Sequence, residues 1–177
     1  PASTIKPFLG LLGLEEGVID ATTIIVDEGV FQINGEGRKY RGWKEDGHGE
    51  VDLHKAIVES SDVYFYELAS KLTIDKISNF LSLFYFGKNT GIDLMSESPS
   101  VLPDRNWKLG NIGETWFIGD TVNIGIGQGY ITVTPLQLAS SISAIATRGK
   151  IFKPQLVQRL GDQSISPELL FSIELNK

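Results

Sequence analysis

Three things are scarce in this sequence: cysteine, excess positive charge and long apolar runs. The 177 residues contain no cysteine, and their formal net charge is −6. Without cysteine, the chain has neither a disulfide framework nor a metal site with thiolate ligands. Net negative charge argues against a nucleic-acid-binding role, because such proteins use basic patches to displace the counterions of phosphates. No stretch reaches the roughly 18 apolar residues that a membrane-spanning helix needs.

The ends of the chain also lack familiar features. The sequence starts at Pro1 without an initiator methionine or a signal peptide, and it stops at FSIELNK without an obvious cap. We therefore expect residues 1–177 to be part of a longer protein, with any membrane anchor outside them. The proportions of apolar (41%) and charged (21%) residues are typical of a globular domain with a buried core.

Helical patterns outnumber strand patterns. Thr134 is a candidate N-cap, Pro135 suits the first helical position, and Gly149 follows the end of that helix. β-Branched residues and the turn signal NGEG predict short strands within residues 22–43, and IFKPQLVQRL is a further candidate strand. Residues 88–133 are predicted to be mostly loop. Apolar residues at helical spacing predict helices over residues 3–16, 52–72, 74–86 and 134–148.

The first motif with chemical potential is PASTIKP, where Ser3 and Lys6 stand three residues apart. Such residues share one face of a helix, so the hydroxyl and the amine are predicted to be neighbours. A serine hydroxyl becomes a good nucleophile when a base takes its proton. Burial or nearby positive charge that lowers the pKa of the lysine lets its amine act as that base. A helix cap followed by an exposed lysine gives the same spacing.

The second motif is ESSD, where Ser60 and Asp62 bracket Ser61 at the predicted start of a helix. One interpretation is an ordinary N-cap with an acidic first turn. The other is that the Ser60 hydroxyl carries a proton between the lysine and a leaving amine, oriented by the Asp62 carboxylate.

The third stretch is rich in glycine and runs GDTVNIGIGQGYITVTPLQLA over residues 119–139. A dinucleotide-binding loop requires a preceding strand and a helix that starts at the glycines, whereas here ITVTP intervenes. We predict a tight loop packed beneath a site.

These motifs, together with TGIDL at residues 90–94, occur in the order and spacing of class B penicillin-binding proteins. WFIGDTVNIGIGQGY and YRGWKEDGHGEVDL resemble the penicillin-binding protein 2 group in particular, and the resemblance covers nearly the whole chain. It implies an α+β parent fold, the penicillin-binding transpeptidase or serine β-lactamase-like fold. Residues 1–177 would form a partial transpeptidase domain, a helix-rich lobe that is mainly α with a few short strands.

The resemblance also implies a role for each motif residue. Ser3 would be the nucleophile that accepts the acyl group, Lys6 its base partner, and Ser60 the first residue of the second motif. Asp62 stands where most of the superfamily has Asn. In the family, the serine attacks the D-Ala-D-Ala carbonyl of a stem peptide and expels the terminal D-Ala. An amine of a neighbouring strand then takes the acyl group, whereas β-lactams leave a stable acyl-enzyme.

Two departures from the family pattern matter. The third motif, Lys-(Ser/Thr)-Gly, is absent, and the nearest string, Lys88-Asn89-Thr90-Gly91, has one residue too many. In the family that motif lies on a strand that supplies one N–H of the oxyanion hole. We therefore expect the C-terminal sheet portion to be missing and this chain to be acylated weakly or not at all.

The second departure concerns zinc, which some members of the group bind through two Asp, a His and a Cys. Asp27 and His48 are weak candidates for two of these ligands, but Gly42 and Ser61 stand at the other two positions. Two of four ligands make a poor zinc site, so neither metal nor cofactor is expected.

The resemblance implies a peptidoglycan D,D-transpeptidase for cell elongation and rod-shape maintenance, at the periplasmic face of the bacterial inner membrane. The expected partners are peptidoglycan stem peptides, β-lactam antibiotics and membrane proteins of the elongation complex. Three alternatives stay open: a β-lactam sensor, a β-lactamase of the same superfamily, and a fragment with no chemistry of its own.

Overall fold

The computed structural model describes residues 1–175, which form two compact units. The first unit comprises Pro1–Ser78 and Pro103–Ile131, and the second comprises Asn79–Leu102 and the segment from Thr132 onward. The last two residues of the FSIELNK stretch lie outside the described residues. None of the helices in the described part of the chain has both the length and the apolarity needed to cross a bilayer.

Seven α-helices and eight short strands make up the described chain. A 3₁₀ helix, Ala2–Ile5, leads directly into the first α-helix. The helices are α1 (Lys6–Glu15), α2 (Leu53–Val58), α3 (Asp62–Lys71), α4 (Ile74–Leu83), α5 (Arg105–Ile112), α6 (Ile118–Ile124) and α7 (Pro135–Ala146). The strands are β1 (Ile25–Asp27), β2 (Val30–Gln32), β3 (Lys39–Arg41), β4 (Gly49–Val51), β5 (Lys150–Phe152), β6 (Arg159–Leu160), β7 (Gln163–Ser164) and β8 (Leu169–Ser172).

The strands pair two by two and form no large sheet among the described residues. The antiparallel pairs are β1 with β4, β2 with β3, β5 with β8 and β6 with β7. The prediction of a mainly helical lobe with a few short strands is therefore confirmed.

In the first unit, α3 is the central element and packs against both α1 and α6. None of the ten residues of α1 is exposed, as its nearly continuous apolar sequence predicts. Glycine allows the close approach of these helices, because a Cβ at Gly13 would lie 2.9 Å from a methyl carbon of Leu68 on α3. This packing fixes the start of α1 relative to the start of α3.

In the second unit, α7 begins as the sequence predicts. The Thr134 hydroxyl accepts a hydrogen bond from the backbone N–H of Gln137, and Pro135 occupies the first turn. The Gln137 amide also donates to the backbone carbonyls of Lys88 and Pro99. The Lys88–Gly91 string thus lies in an irregular segment rather than on a strand, which agrees with its interpretation as unrelated to the third motif.

Residues 88–133 are mostly irregular, as predicted, but they also contain α5 and α6, which the sequence analysis did not identify. Both helices have few apolar residues in periodic positions, and they are held by capping at Asp104 and by packing around the buried Lys108. The helix predicted over 74–86 ends at Leu83, and the candidate strand IFKPQLVQRL is split between β5 and β6.

Candidate active site

Ser3 lies on the 3₁₀ helix that precedes α1, and its side chain is exposed. The backbone N–H of Lys6 donates to the Ser3 carbonyl, so this hydrogen bond links the first and last residues of one helical turn. Lys6 itself is only 2% exposed. In residues 1–175 the Ser3 hydroxyl has no hydrogen-bond partner. Without substrate, catalytic hydrogen bonds are commonly long and tighten only in the reacting complex.

The turn that contains Ser3 rests on the glycine-rich loop, as predicted. The backbone N–H of Ala2 donates to the carbonyl of Gly127 over 3.0 Å. Gly127 has a φ of +71°, and a Cβ there would lie 2.1 Å from the Ala2 carbonyl oxygen. Only glycine fits this close approach, which fixes the backbone next to Ser3.

The Lys6 amine has three acceptors, all supplied by the second motif. Its Nζ lies 2.7 Å from Asp62 Oδ1, 2.8 Å from the Ser60 carbonyl oxygen and 3.0 Å from Ser60 Oγ. We call Lys6, Ser60 and Asp62 the lysine cluster. Burial lowers the pKa of Lys6 from its ordinary value, and the hydrogen bond and charge of Asp62 only partly oppose this. A lowered pKa favours the neutral amine, which is the form that can accept a proton.

The backbone of the second motif is strained at Ser60. This residue has a φ of +53°, in the left-handed region that non-glycine residues rarely adopt. The conformation turns its carbonyl and its hydroxyl toward the same amine. Such strain persists only where neighbouring contacts hold it, and it is frequent at functional sites.

Trp43 supplies part of this restraint and was missed by the sequence analysis. Its backbone N–H donates to Asp62 Oδ2 over 3.0 Å, and its indole N–H donates to the Ser60 carbonyl over 3.1 Å. The only signal in the sequence was a tryptophan inside a glycine-rich segment, and this pattern does not identify a partner.

The middle residue of the second motif belongs to a different set of contacts. Ser61 caps α3 by accepting a hydrogen bond from the backbone N–H of Tyr64, and its hydroxyl donates to Asp27 Oδ2 over 2.7 Å. His48 Nδ1 lies 2.6 Å from the same oxygen. We call Asp27, His48 and Ser61 the aspartate cluster. Burial alone would raise the pKa of Asp27, but hydrogen bonds from Ser61, His48 and the backbone of Gly29 outweigh it and lower the pKa.

The aspartate cluster unites three of the four positions that the resemblance marks as possible zinc ligands, but its residues do not fit the ion. Both oxygens of Asp27 already accept hydrogen bonds from the chain, and Gly42 has no side chain. One buried atom, His48 Nε2, has no partner. A single nitrogen is far from the four ligands of a structural zinc site. Among the described residues, no group of three or more His, Cys, Asp or Glu is arranged to hold a metal.

The chain is similar to known proteins over almost its whole length. The family model "Penicillin binding protein transpeptidase domain" matches residues 1–174. A Haemophilus influenzae protein, "Peptidoglycan D,D-transpeptidase MrdA", is 41% identical over 167 residues, which is 94% of this chain and 26% of the relative. The chain thus spans about a quarter of the length of the curated relatives that it matches.

Solved structures are similar over nearly the whole chain. The crystal structure of Pseudomonas aeruginosa PBP2 in complex with WCK 5153 superposes with a TM-score of 0.91 at 39% identity, covering 100% of this chain and 40% of that one. Helicobacter pylori PBP2 in its complex with MreC gives a TM-score of 0.86 at 36% identity, covering 95% and 31%.

Proposed function

This chain belongs to the penicillin-binding protein transpeptidase domain family, and from that premise we propose that it carries the first two catalytic motifs of a peptidoglycan D,D-transpeptidase. The observation that supports the proposal is the state of the Lys6 amine. It is buried, its pKa is lowered, it is bonded to Ser60 and Asp62, and it follows Ser3 by one helical turn.

In the first half-reaction, Ser3 Oγ attacks the carbonyl carbon of the penultimate D-Ala of a stem peptide. Lys6 takes the hydroxyl proton as the C–O bond forms. The C–N bond to the terminal D-Ala then breaks, and the Ser60 hydroxyl relays a proton from Lys6 to the leaving amine. The products are an acyl ester on Ser3 and free D-Ala. Asp62 orients the Lys6 amine, and thereby its contact with the Ser60 hydroxyl, for this transfer.

In the second half-reaction, an amine of a neighbouring strand attacks the ester. The amine gives up a proton to Lys6, a new amide bond forms, and the proton returns to the departing Ser3 oxygen. A β-lactam enters the first half-reaction in the same way, but its leaving group stays attached, so the ester persists.

The proposed setting follows from the relatives. Proteins named MrdA and PBP2 are among the matches, and one PBP2 is seen in complex with MreC. We propose a role in cell elongation and rod shape, at the periplasmic face of the inner membrane. Elongation-complex membrane proteins, stem peptides and β-lactams would be its partners. No nucleic acid and no cofactor enter the scheme.

Acylation by a fluorescent penicillin tests the proposal. The longest natural chain that contains this sequence should be labelled on Ser3 alone, as peptide mass spectrometry would reveal. Ser3→Ala should abolish labelling, whereas Ser82→Ala should not, because the Ser82 hydroxyl bonds only to the Asn79 carbonyl within its own helix. Labelling at another serine would overturn the assignment.

Two further measurements separate the alternatives. Slow release of the penicillin without hydrolytic turnover distinguishes a transpeptidase from a β-lactamase, and D-Ala release from a stem peptide distinguishes it from a sensor. The 177-residue chain by itself should be labelled at least about 10²-fold more slowly, because an oxyanion hole that lacks one donor typically loses that much in rate. Equal rates would mean that the third motif is dispensable.

A further inference from the structure

A pocket beside the second motif has no role in the chemistry described so far. Its volume is about 390 Å³, which falls in the usual range for ligand sites. It lies next to the second motif because one of its walls, Trp43, is bonded directly to Asp62 and Ser60. The residues that line it are Gly29, Val30, Lys39, Arg41, Gly42, Trp43 and Glu45.

The pocket is positively charged in a chain that is negative overall. The segment RKYRGWK, residues 38–44, contains four of the 16 basic residues, whereas the whole chain has a net charge of −6. Lys39 and Arg41 are exposed on the same face of β3, while Tyr40 between them is buried. Neither cation has an ion-pair partner within residues 1–175, and Glu45 is the single acid that lines the pocket. Such a pair of cations attracts a carboxylate.

Trp43 gives the pocket a rigid aromatic wall. Its side chain is 62% exposed, which is unusual for tryptophan, yet both of its N–H groups are engaged by the second motif. Its ring also lies edge-on to His48, with 5.4 Å between the ring centroids. An aromatic side chain that is already held in place binds a ligand without a further loss of its own conformational entropy.

We propose that this pocket is the subsite for the acceptor peptide, a peptide with a free amine and a carboxylate. The inference rests on the proposed function, since a crosslinking enzyme needs a second peptide while the first is held as an ester on Ser3. Arg41 and Lys39 bind the acceptor carboxylate, and the face of Trp43 packs against its apolar atoms. The amine then attacks the ester carbonyl, the new amide bond replaces the bond to Ser3, and the amine proton passes through Lys6 to the departing Ser3 oxygen.

The test compares two acceptors in the wild type and in two variants. The longest natural chain that contains this sequence is acylated with a D-Ala-D-Ala stem peptide and is then offered glycyl-D-alanine or glycyl-D-alaninamide. The two acceptors differ only in the carboxylate. KM and kcat for aminolysis are measured in the wild type, in the double variant Arg41→Gln/Lys39→Gln and in Lys44→Gln. Lys44 is the matched control, because it belongs to the same basic segment but does not line the pocket.

The wild type should use the carboxylate acceptor with about tenfold lower KM than the amide, since a hydrogen bond to a charged group contributes at least that factor. The double variant should lose the preference, and Lys44→Gln should keep it. A wild type without preference, or a double variant that retains it, would overturn the subsite. Failure of the wild type to be acylated by penicillin would instead overturn the proposed function on which the subsite rests.

Discussion

The triplet Ser60–Asp62 is shared by two polar clusters that differ in what burial does to them. In the lysine cluster, burial lowers the pKa of Lys6, and the single carboxylate of Asp62 does not fully compensate. In the aspartate cluster, burial would raise the pKa of Asp27, but three hydrogen-bond donors more than compensate. Both side chains are 2% exposed. Each group has three hydrogen-bond partners, so what differs is the balance: burial dominates the pKa shift of Lys6, whereas the hydrogen bonds outweigh burial at Asp27.

We propose that the lysine cluster takes part in the chemistry and that the aspartate cluster supports the fold. Lys6 of the lysine cluster is bonded through its backbone N–H to the Ser3 carbonyl, and Ser60 has a strained backbone. The aspartate cluster ties β1, the loop before β4 and the start of α3 to one another, because Asp27, His48 and Ser61 come from these three elements. Loss of the Lys6 amine should slow acylation and also lower stability, because Asp62 and Ser60 lose a buried partner. Loss of the Asp27 carboxylate should lower stability with little effect on the rate.

The largest expected effect is that of Lys6→Ala. Without the amine, acylation of the longest natural chain by penicillin should slow by roughly 10²–10⁴, the usual contribution of general-base proton transfer. Stopped-flow or gel measurement of labelling gives the rate. Lys55→Ala is the matched control, because this lysine also donates to two backbone carbonyls but is not part of the cluster. Equal losses in the two variants would mean that Lys6 acts only by holding the fold.

Asp27→Ala should act on stability instead. Its removal leaves the Ser61 hydroxyl, His48 Nδ1 and the Gly29 N–H without a partner, and buried unpaired groups typically cost about 1–3 kcal/mol each. We expect the free energy of unfolding to fall by about 3 kcal/mol at pH 7. Thermal or urea denaturation measures this change.

The control for this variant is Asp20→Ala, because Asp20 makes similar local hydrogen bonds at an exposed position. The lowered pKa of Asp27 means that its contribution is fully present above the unfolded pKa and is lost as pH falls through the lower folded value. The difference in free energy of unfolding between the wild type and Asp27→Ala should therefore become smaller at acid pH. A constant gap at all pH values would contradict an ionised Asp27.

Asp62→Asn should have a smaller effect, on pH dependence. Asp62 raises the pKa of Lys6 through its hydrogen bond and its charge, in opposition to burial. Without that charge the pKa of Lys6 falls further, so the neutral amine exists at lower pH. The acid limb of the acylation rate should therefore move to lower pH. Asp52→Asn, which alters only the cap of α2, should leave the limb in place, and a shift to higher pH in Asp62→Asn would refute the coupling.

The smallest expected effect is that of zinc on the wild-type protein. Dialysis against a chelator should change neither acylation nor stability, and elemental analysis should find far less than one zinc ion per chain. The double variant Gly42→Asp/Ser61→Cys is the positive control, since a Cβ at Gly42 would meet only ordinary contacts of 3.5 Å or more. Stoichiometric zinc in the wild type would implicate Asp27, His48 and Asp46.

Local sequence determined the parts of the molecule whose signals lie within a few residues. Helical period and capping are short-range properties. The sequence therefore predicted the apolar run of α1, the Thr134 cap of α7 and the one-turn spacing of Ser3 and Lys6. The resemblance to a family added the roles of Ser60 and Asp62. It did not show that the Lys6 amine bonds both of them.

Only the tertiary structure decided which distant residues meet. The contact between Lys6 and Asp62 spans 56 positions in sequence, and that between Asp27 and Ser61 spans 34. Both depend on the packing of α1 and β1 against α3, which is set by the fit of whole surfaces and leaves no local pattern. The same reason explains why Trp43 was missed and why α5 and α6 were taken for loop. Their stability comes from contacts such as that between the buried Lys108 and Asp120, which become neighbours only when the chain is folded.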